Sequence, residues 1–461
     1  MQTSILRAGR WSLALTAVVA LAACSDDLPT NPPASPQTPK PDKLTGDVVM
    51  VTNTLGSGAF GSLRWAVVLA ANEGDIIRFD PSIAGDTIVI DTTLILPKYV
   101  TIEGPKNGGI TISAFNSNAT AIDALKGVTL RNMTIMGGSG DLYGTGGIHS
   151  RGPLWLENSS VLYNGALRGV GAIYVGTEAT IINSTIAYND SFGEVAGITY
   201  PYSGKLTIIN STIYANGRGR GLAPYFSGDY NPKVTISNSI IAGNGDLLDP
   251  SAGKGNCYDT RGFTRLGVNI ADDQTCGTGP SMMILGWGDV RVGVLTDDGP
   301  SRAITLDRTS PAINAGQNCS VAVDQRYAAR DAACDIGAFE FNDWTKVTLT
   351  IDPNATISKN GGPAIAKGTV TCNKAETQGQ TLRIDLSQDQ KVGKNTTTVQ
   401  GSIDVPFTCS TTAKTWSAVV FPTTGGFASG DATATVKTVN TPKWYAPSST
   451  TSAVKVVVAR R

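Results

Sequence analysis

Charged side chains are scarce in this sequence: Asp, Glu, Lys and Arg make up 16% of the 461 residues, against roughly 25% in an average soluble domain. The 37 basic residues are balanced by 37 acidic residues, so the chain has no overall charge that would attract nucleic acid. We therefore expect no nucleic-acid partner. In place of charge there are 52 glycines and many Ser, Thr and Asn, a composition that favours turn-rich β structure over helices.

Histidine and cofactor motifs are also scarce. His149 is the single imidazole, so histidine-dependent catalysis would depend on it alone. With one histidine and no CxxC spacing, a structural zinc site is not expected. No P-loop occurs, and we expect no nucleotide cofactor. Two alternatives stay open for cofactors. The chain binds none, or the acidic turns DDG (297–299) and DLLD (246–249) hold a Ca²⁺ ion loosely.

The apolar run near the N-terminus, 11–23, is too short to span a bilayer permanently. Arg7 and Arg10 precede it and small residues lead from it to Cys24, a pattern typical of an export signal. The sequence LAAC at 21–24 resembles the bacterial lipobox, which implies cleavage before Cys24 and lipidation of its thiol. An ordinary secretory signal with an incidental cysteine is the other interpretation.

We accordingly predict a lipoprotein signal peptide at 1–23 and a lipidated, Pro-rich, disordered tether at 24–46, which has almost nothing to bury. Such an anchor places the chain at the bacterial cell envelope, at the outer membrane or cell surface, with membrane lipid as a partner.

Six cysteines remain besides Cys24, an even number that favours disulfides in an exported chain. Six cysteines permit fifteen pairings, and sequence alone does not decide among them. Proximity in the chain suggests three local pairs: Cys257 with Cys276, Cys319 with Cys334, and Cys372 with Cys409.

A short phrase recurs through the middle of the chain, for example IINSTIAYND at 181–190 and IINSTIYANG at 208–217. Its first asparagine returns at a nearly constant interval, at Asn132, Asn158, Asn183, Asn210 and Asn238. A second asparagine follows six positions later from the second copy onward, at Asn164, Asn189, Asn216 and Asn244. A period in the twenties with β-branched runs and glycine-rich turns predicts a solenoid of parallel strands.

Equivalent residues of such a solenoid stack one strand spacing apart, and an amide carries both a donor and an acceptor. We therefore predict that the first asparagine series forms a structural ladder in which each side chain bonds those above and below. An open stack also needs a cap, and the segment 61–75 predicts an N-terminal cap helix that begins after Ser62.

The segment 51–90 resembles the opening of bacterial right-handed parallel β-helix surface proteins. The segments RLGVNIADDQTCG (265–277), SPAINAGQNC (310–319) and DQRYAARDAACDIGAFEF (324–341) resemble the end of the choice-of-anchor Q proteins. The repeat itself is similar, more weakly, to polymorphic outer-membrane protein repeats. These resemblances imply a pectate-lyase-like β-helix displayed on the bacterial surface, and they carry no agreed catalytic residues.

The sequence changes character after position 342, where seven short runs with alternating apolar positions predict a β-sandwich. Cys372, Cys409 and Trp416 are similar to an immunoglobulin-like core, although Trp416 follows the second cysteine instead of lying between the two. The predicted fold is therefore all-β: a right-handed parallel β-helix over 47–342 with a cap helix, then a small immunoglobulin-like sandwich over 343–461.

Aromatic side chains recur about once per repeat and give the best candidate binding site. His149, Tyr174, Tyr200 and Tyr225 follow one another at almost the repeat period, and Tyr202 lies beside the third. Facing solvent, they would form a strip for stacking on sugar rings, with Arg218 and Arg220 to meet acidic groups. Facing inward, they would be an ordinary aromatic stack in the core.

Two functions follow from these features. The preferred hypothesis is a lipid-anchored surface adhesin, non-catalytic, whose β-helix binds a polysaccharide or another surface protein. The alternative is a polysaccharide lyase or glycoside hydrolase of the β-helix type with an unrecognised active site, because many β-helices have these activities. The acidic residues of the repeats fall at different repeat positions, and we therefore assign no catalytic residue and no metal ligand.

Overall fold

The computed structural model describes residues 46–115, 117–141, 144–200, 204–224, 232–245, 255–258, 260–286, 288–342, 345–357, 360–376, 379–439 and 448–458. About 50% is strand and 3% helix, and a parallel β-solenoid of about 8 turns forms the larger part, which confirms the predicted all-β solenoid. The predicted signal peptide, Cys24 and nearly all of the tether lie outside the described residues.

Twenty-seven short strands form the coils of the solenoid. In chain order they are β1 (Val48–Val51), β2 (Ile76–Phe79), β3 (Thr87–Val89), β4 (Leu94–Leu96), β5 (Val100–Glu103), β6 (Ile110–Ser113), β7 (Ile122–Ala124), β8 (Val128–Arg131), β9 (Met133–Met136), β10 (Ser139–Gly140), β11 (Ile148–Ser150), β12 (Leu154–Glu157), β13 (Ser160–Leu162), β14 (Gly165–Ala166), β15 (Ile173–Val175), β16 (Glu178–Ile182), β17 (Thr185–Ala187), β18 (Asp190–Ser191), β19 (Val195–Tyr200), β20 (Lys205–Ile209), β21 (Thr212–Tyr214), β22 (Arg220–Pro224), β23 (Lys233–Ser237), β24 (Ile240–Ala242), β25 (Phe263–Leu266), β26 (Asn269–Ala271) and β27 (Met282–Ile284).

These strands stack into parallel sheets. Sheet A has the order β1-β2-β5-β8-β12-β16-β20-β23-β25, and sheet B the order β3-β6-β9-β13-β17-β21-β24-β26-β27. Sheet C has the order β4-β7-β11-β15-β19-β22, and the short sheet D the order β10-β14-β18. Each full coil runs from sheet A to sheet B, through sheet D where that is present, to sheet C.

The core is a set of apolar columns that point into the coil. On sheet A, Ile102, Leu130, Leu156 and Ile181 are paired in register and are completely buried. Each such side chain contributes roughly 1.5–3 kcal/mol on burial. Because alternate residues of a strand point to opposite faces, the same strands place Thr129, Trp155 and Thr180 on the outside of the sheet.

The N-terminal end of the core is closed by a short helical segment. Helix α1 (Leu63–Trp65) continues as a π-helical turn (Ala66–Ala70), and Ser62 caps it by accepting a hydrogen bond from the Trp65 amide at 3.1 Å. The predicted cap helix is confirmed, although it ends earlier than predicted. A 3₁₀ turn (Pro81–Ile83) follows β2.

The first asparagine series forms the corner between sheets A and B. All five residues have a left-handed backbone, with φ of 58° at Asn132 and 45–47° at Asn158, Asn183, Asn210 and Asn238. Asparagine tolerates this conformation far better than a β-branched residue does. The fixed asparagine of the repeat is therefore required by the backbone of the corner.

The amide ladder is formed by the second asparagine series. Asn164 Nδ2 donates to Asn189 Oδ1 at 2.9 Å, Asn189 to Asn216 at 2.8 Å, and Asn216 to Asn244 at 2.8 Å. Asn244 continues the ladder to Asn256 at 2.9 Å. The prediction that the first series forms the ladder is therefore wrong: the ladder lies six positions later, and Asn132, Asn183 and Asn238 of the first series bond to a different part of the chain.

That part is the segment 307–341, which we call the strap. It follows a hairpin of β28 (Val292–Thr296) and β29 (Ala303–Leu306), whose Ile304 packs on Leu162 and Ala187 outside sheet B. Asn183 Nδ2 donates to the Val323 carbonyl at 2.8 Å, and Asn238 Nδ2 donates to the Gln317 carbonyl at 2.8 Å. The strap therefore fastens several coils together along the corner between sheets A and B.

A buried ion cluster holds the strap in its fold. Arg330 and Glu340 are 1% and 3% exposed and pair at 3.0 Å, and Arg326 pairs with the buried Asp324 at 2.7 Å. Asp335 accepts hydrogen bonds from the Asn314 and Phe341 amides at 2.7 and 2.5 Å. Burial, with the nearby Glu340 carboxylate, raises the pKa of Asp335 to about 7, although both amides and Arg330 oppose this shift.

The C-terminal part of the chain is a β-sandwich. Its strands are β30 (Val347–Leu349), β31 (Asn354–Ile357), β32 (Ala364–Cys372), β33 (Gly379–Val392), β34 (Asn395–Thr408), β35 (Lys414–Val420), β36 (Gly430–Val439) and β37 (Ser449–Val458). One layer has the order β34-β33-β36-β37, and the other contains β30, β32 and β35. Strand β31 pairs with both β32 and β37 and so joins the two layers.

Three disulfides form, and they are the local pairs that the sequence suggested: Cys257–Cys276, Cys319–Cys334 and Cys372–Cys409. The second closes a loop within the strap. The third joins the end of β32 to the residue after β34, while Trp416 is buried in the sandwich core on β35. Three disulfides indicate an exported or extracellular protein.

Candidate ligand-binding face on sheet C

The predicted aromatic strip is formed only in part. His149 on β11 and Tyr174 on β15 are paired in register on the outer face of sheet C, and their ring centroids are 4.5 Å apart. Tyr200, by contrast, is 1% exposed: its hydroxyl donates to the Tyr258 carbonyl at 2.7 Å, and its ring meets Phe263 edge-on. This corrects the expectation of a surface role, because Tyr200 belongs to the core.

The position of Tyr200 within its strand explains why it points inward. Ile173 pairs with Ile198, so the residue opposite Tyr174 is Thr199 and not Tyr200. The Thr199 hydroxyl accepts a hydrogen bond from the Val175 amide at 3.2 Å in this position. Because side chains alternate between the two faces of a strand, an offset of one residue moves a side chain from the surface to the core.

Of the other predicted binding residues, Arg218 and Arg220 do not extend the strip. Tyr202 and Tyr225 lie outside the described residues. Arg218 pairs with Asp190 and covers the ring of Phe192, with 3.6 Å between the guanidinium carbon and the ring centroid. Arg220 lies over Tyr258 at 4.6 Å and is 3.9 Å from the Glu194 carboxylate. Both guanidinium groups are therefore engaged within the protein.

The structure instead assembles a compact polar group around His149 and Tyr174. Arg151, which follows the last residue of β11, donates to both carboxylate oxygens of Asp123 on β7, at 3.2 and 2.9 Å. Asp123 is paired in register with His149, so Asp123, His149 and Tyr174 occupy three successive coils. We call these four residues the sheet C face. The regular spacing of the coils gives them a rigid geometry, about 4.8 Å per step.

Electrostatics keeps the imidazole of this face neutral near pH 7. Burial lowers the pKa of His149, Arg151 lowers it further, and the Asp123 carboxylate opposes both. The Thr145 hydroxyl lies 3.3 Å from Nδ1. Hydrogen bonding to Asp123 raises the pKa of Arg151. The face thus offers a neutral imidazole, a phenol and a carboxylate–guanidinium pair, groups that hydrogen-bond to hydroxyl-rich ligands and contact sugar rings.

An aromatic stack that the sequence analysis missed lies on another edge of the solenoid. Tyr163 and Tyr188, both with left-handed backbone, stack at 5.3 Å with their planes 10° apart, and Tyr188 meets Tyr214 edge-on at 6.3 Å. The recurrence of these three tyrosines at the repeat period was the available signal. Because Tyr163 and Tyr188 each cover one face of the other ring, the stack leaves less ring face for contact with a sugar.

A cleft on the sandwich is another candidate site. A cleft of about 340 Å³ is lined mainly by polar side chains of β33, β34 and β36, including Asp385, Gln400, Ser402 and Thr435. Asp385 is held by Lys437 at 3.2 Å. Without an aromatic side chain in its lining, this cleft has fewer of the features of a sugar site than the sheet C face has.

Metal ligands and membrane spans can be assessed for the described residues only. In that part of the chain, no group of three or more His, Cys, Asp or Glu side chains is placed to hold a metal ion. Within the same residues, no helix is both long and apolar enough to cross a membrane.

Comparison with known proteins gives little further information. No protein-family model matches the chain. No curated protein matches it either. Among solved structures it is similar to ChiW, a cell-surface-expressed multi-modular chitinase of Paenibacillus sp. str. FPU-7, at 11% identity and a TM-score of 0.13. The alignment covers 80% of this chain and 24% of the chitinase chain, so this protein spans about a quarter of that structure. A likeness this low supports no statement about fold or function.

Proposed function

We propose that this protein is a lipid-anchored protein of the bacterial cell surface whose solenoid binds polysaccharide through the sheet C face. The observation that carries the proposal is the His149–Tyr174 ring contact beside the Arg151–Asp123 ion pair, on successive coils of one rigid sheet. Rings and paired charges arranged along one direction suit a ligand that is itself a linear repeat, because each coil can meet one portion of it.

The surface location rests on separate observations. The three disulfides support export, and the LAAC sequence at Cys24 supports lipid anchoring. The strap contains two of the three segments that resemble choice-of-anchor Q proteins, 310–319 and 324–341, and membership of that group is part of the proposal. The asparagine ladder and the strap make the solenoid stiff, a property that suits an adhesin or a polysaccharide receptor.

Binding to a panel of acidic and neutral polysaccharides tests the function. The protein from position 26 to 461, which contains every described residue, is incubated with the panel with and without Ca²⁺, and both retention on the polymers and chain length of the products are followed over a day. Retention without shortening supports the proposal. Shortened chains would favour the lyase or hydrolase hypothesis, and no retention on any polymer would contradict polysaccharide binding.

The anchor has its own test. The full chain is expressed in a bacterial host that is fed an alkyne-labelled fatty acid, beside the Cys24→Ser variant. We expect label on the wild-type protein and none on the variant. An unlabelled wild-type protein that is nevertheless exported would contradict lipid anchoring and leave polysaccharide binding open.

A further inference from the structure

The N-terminal end of the solenoid carries an exposed apolar surface. Phe60 is 80% exposed, Leu69 69%, Leu55 54% and Val68 41%. We call these four residues the end patch. Phe60 has the highest exposure of any large apolar side chain in the described residues. Soluble proteins rarely leave such side chains together in water without a partner.

The end patch belongs to the cap and faces away from the core. On one side of the helical segment, Leu63, Ala66 and Val67 are buried against the apolar columns. The segment contacts β1 and β4, the terminal strands of sheets A and C, so it lies across the end of the coil. Val68 and Leu69 follow on its opposite side and therefore form the end surface of the molecule.

The end patch is held in place by the backbone around it. Arg64 donates to the carbonyls of Gly56, Thr93 and Thr92 at 3.0, 2.9 and 2.8 Å. The Ser62 hydroxyl donates to the Ser57 carbonyl at 2.7 Å, and Phe60 contacts Trp65 with ring centroids 4.6 Å apart. A loop fixed in this way presents apolar side chains without the entropy cost of ordering them on binding.

We propose that the end patch rests on the lipid surface into which the predicted anchor is inserted. This inference depends on the proposed lipid anchoring. The described chain begins at Gly46, beside β1, and the segment that connects it to Cys24 can reach about 75 Å at most. The anchor therefore joins the molecule at the end that carries the end patch, and burying Phe, Leu and Val at a membrane interface stabilises contact with it.

Contact with the bilayer at this end would orient the solenoid away from the membrane. The coils stack at about 4.8 Å each, so sheet C extends outward from the lipid surface. The end patch would then set the direction in which the sheet C face is presented.

The test uses unacylated protein, 26–461, and phosphatidylcholine vesicles with and without phosphatidylglycerol. We expect measurable co-flotation with both vesicle types, weakened roughly tenfold by Phe60→Ser with Leu69→Ser, because each 1.4 kcal/mol is a factor of about ten in partitioning. The matched control is Phe421→Ser with Leu167→Ser, which removes side chains that are 62% and 56% exposed elsewhere, and it should float like the wild type.

Three outcomes would overturn the inference: no flotation of the wild type, equal loss in the control variant, or light scattering that shows a dimer abolished by the Phe60 and Leu69 substitutions. The last result would assign the end patch to a second copy of the chain. Acyl labelling at Cys24 with no flotation would leave the anchor intact and reject only the docking, so the two failures are distinguishable.

Discussion

The hydroxyl of Tyr327 donates a hydrogen bond to the side-chain oxygen of Asn132 at 2.8 Å, although the two residues are 195 positions apart. Asn132 also turns the corner between sheets A and B with a left-handed backbone. Asn132 therefore serves two purposes: it bends the coil, and it receives the strap that fastens neighbouring coils.

We predict that Arg330→Met destabilises the solenoid by roughly 3–5 kcal/mol, because it leaves the Glu340 carboxylate buried without its partner. Arg330 also donates to Asn183 Oδ1 at 3.2 Å, so its loss loosens the strap from the coils. Hydrogen exchange of the amides in β16 and β20 measures the loss of stability within the solenoid itself.

The control for this substitution is Arg383→Met on the sandwich, which breaks the exposed Arg383–Asp404 pair. We expect almost no change, because exposed ion pairs contribute little. Equal effects of the two substitutions would show that the buried cluster is not what holds the strap.

The asparagine ladder gives a second prediction. Asn189→Ala should destabilise the solenoid by roughly 2–4 kcal/mol, because buried donors left without an acceptor cost about 1–3 kcal/mol each. The backbone amide of Asn164 would lose its acceptor, Asn189 Oδ1, and the Asn164 side-chain amide would lose its bond to the same oxygen. Asn216 Oδ1 would keep only the bond from the backbone amide at position 189. The control is Asn72→Ala, which removes an exposed side-chain amide from the N-terminal part of the solenoid. Chemical denaturation of both variants and the wild type measures the difference in stability.

The strap should make stability depend on pH. Because burial raises the pKa of Asp335 from 3.8 to about 7, the folded protein keeps a proton that the unfolded chain releases. The stabilisation of the folded protein by this proton is complete below about pH 4. It falls by about 1 kcal/mol per pH unit as the pH rises toward 7, and it changes no further above that pH.

Unfolding at a series of pH values from 4 to 8 measures this slope, with Asp335→Asn as the comparison. The variant loses an acceptor for the Asn314 or Phe341 amide and should be less stable, but its stability should depend less on pH in this range. An unchanged slope in the variant would assign the dependence to other groups.

Tyr200 should respond to truncation as a core residue. Tyr200→Ala is expected to destabilise the solenoid by roughly 3–5 kcal/mol, because it empties a buried site in the core. Tyr200→Phe removes only the hydrogen bond to the Tyr258 carbonyl and should cost about 1 kcal/mol. Melting temperatures that are unchanged in Tyr200→Ala would contradict the buried position.

The repeat period alone predicted the solenoid, because the interval between successive asparagines leaves room for one coil and β-branched runs indicate strands. It did not distinguish the two asparagine series, since a left-handed corner and an amide ladder both require asparagine once per coil. Asn183 and Asn189 differ only in the backbone conformation and the partners that the folded coil gives them.

The candidate site was harder to predict than the fold. His149 and Tyr174 are one repeat apart and their rings are in contact, whereas Tyr200 comes one position later than the same interval would place it. It turns inward because adjacent residues of a strand point to opposite faces. Arg151 and Asp123 are far apart in the chain and meet only when two coils are stacked in register. The contacts between the strap and the coils, such as that of Tyr327 with Asn132, have no periodic signal at all.

The most direct test of polysaccharide binding by the sheet C face is calorimetric titration of the best polymer from the panel into the wild type and three variants. We predict that His149→Ala and Tyr174→Ala each weaken binding by roughly tenfold, the effect of losing about 1.4 kcal/mol of contact, while the melting temperature stays close to that of the wild type. Tyr163→Ala, which truncates a 42% exposed tyrosine on another edge of the same coils, should bind as the wild type does. Wild-type affinity in both His149→Ala and Tyr174→Ala, or an equal loss in Tyr163→Ala, would contradict the assignment of the binding site to sheet C.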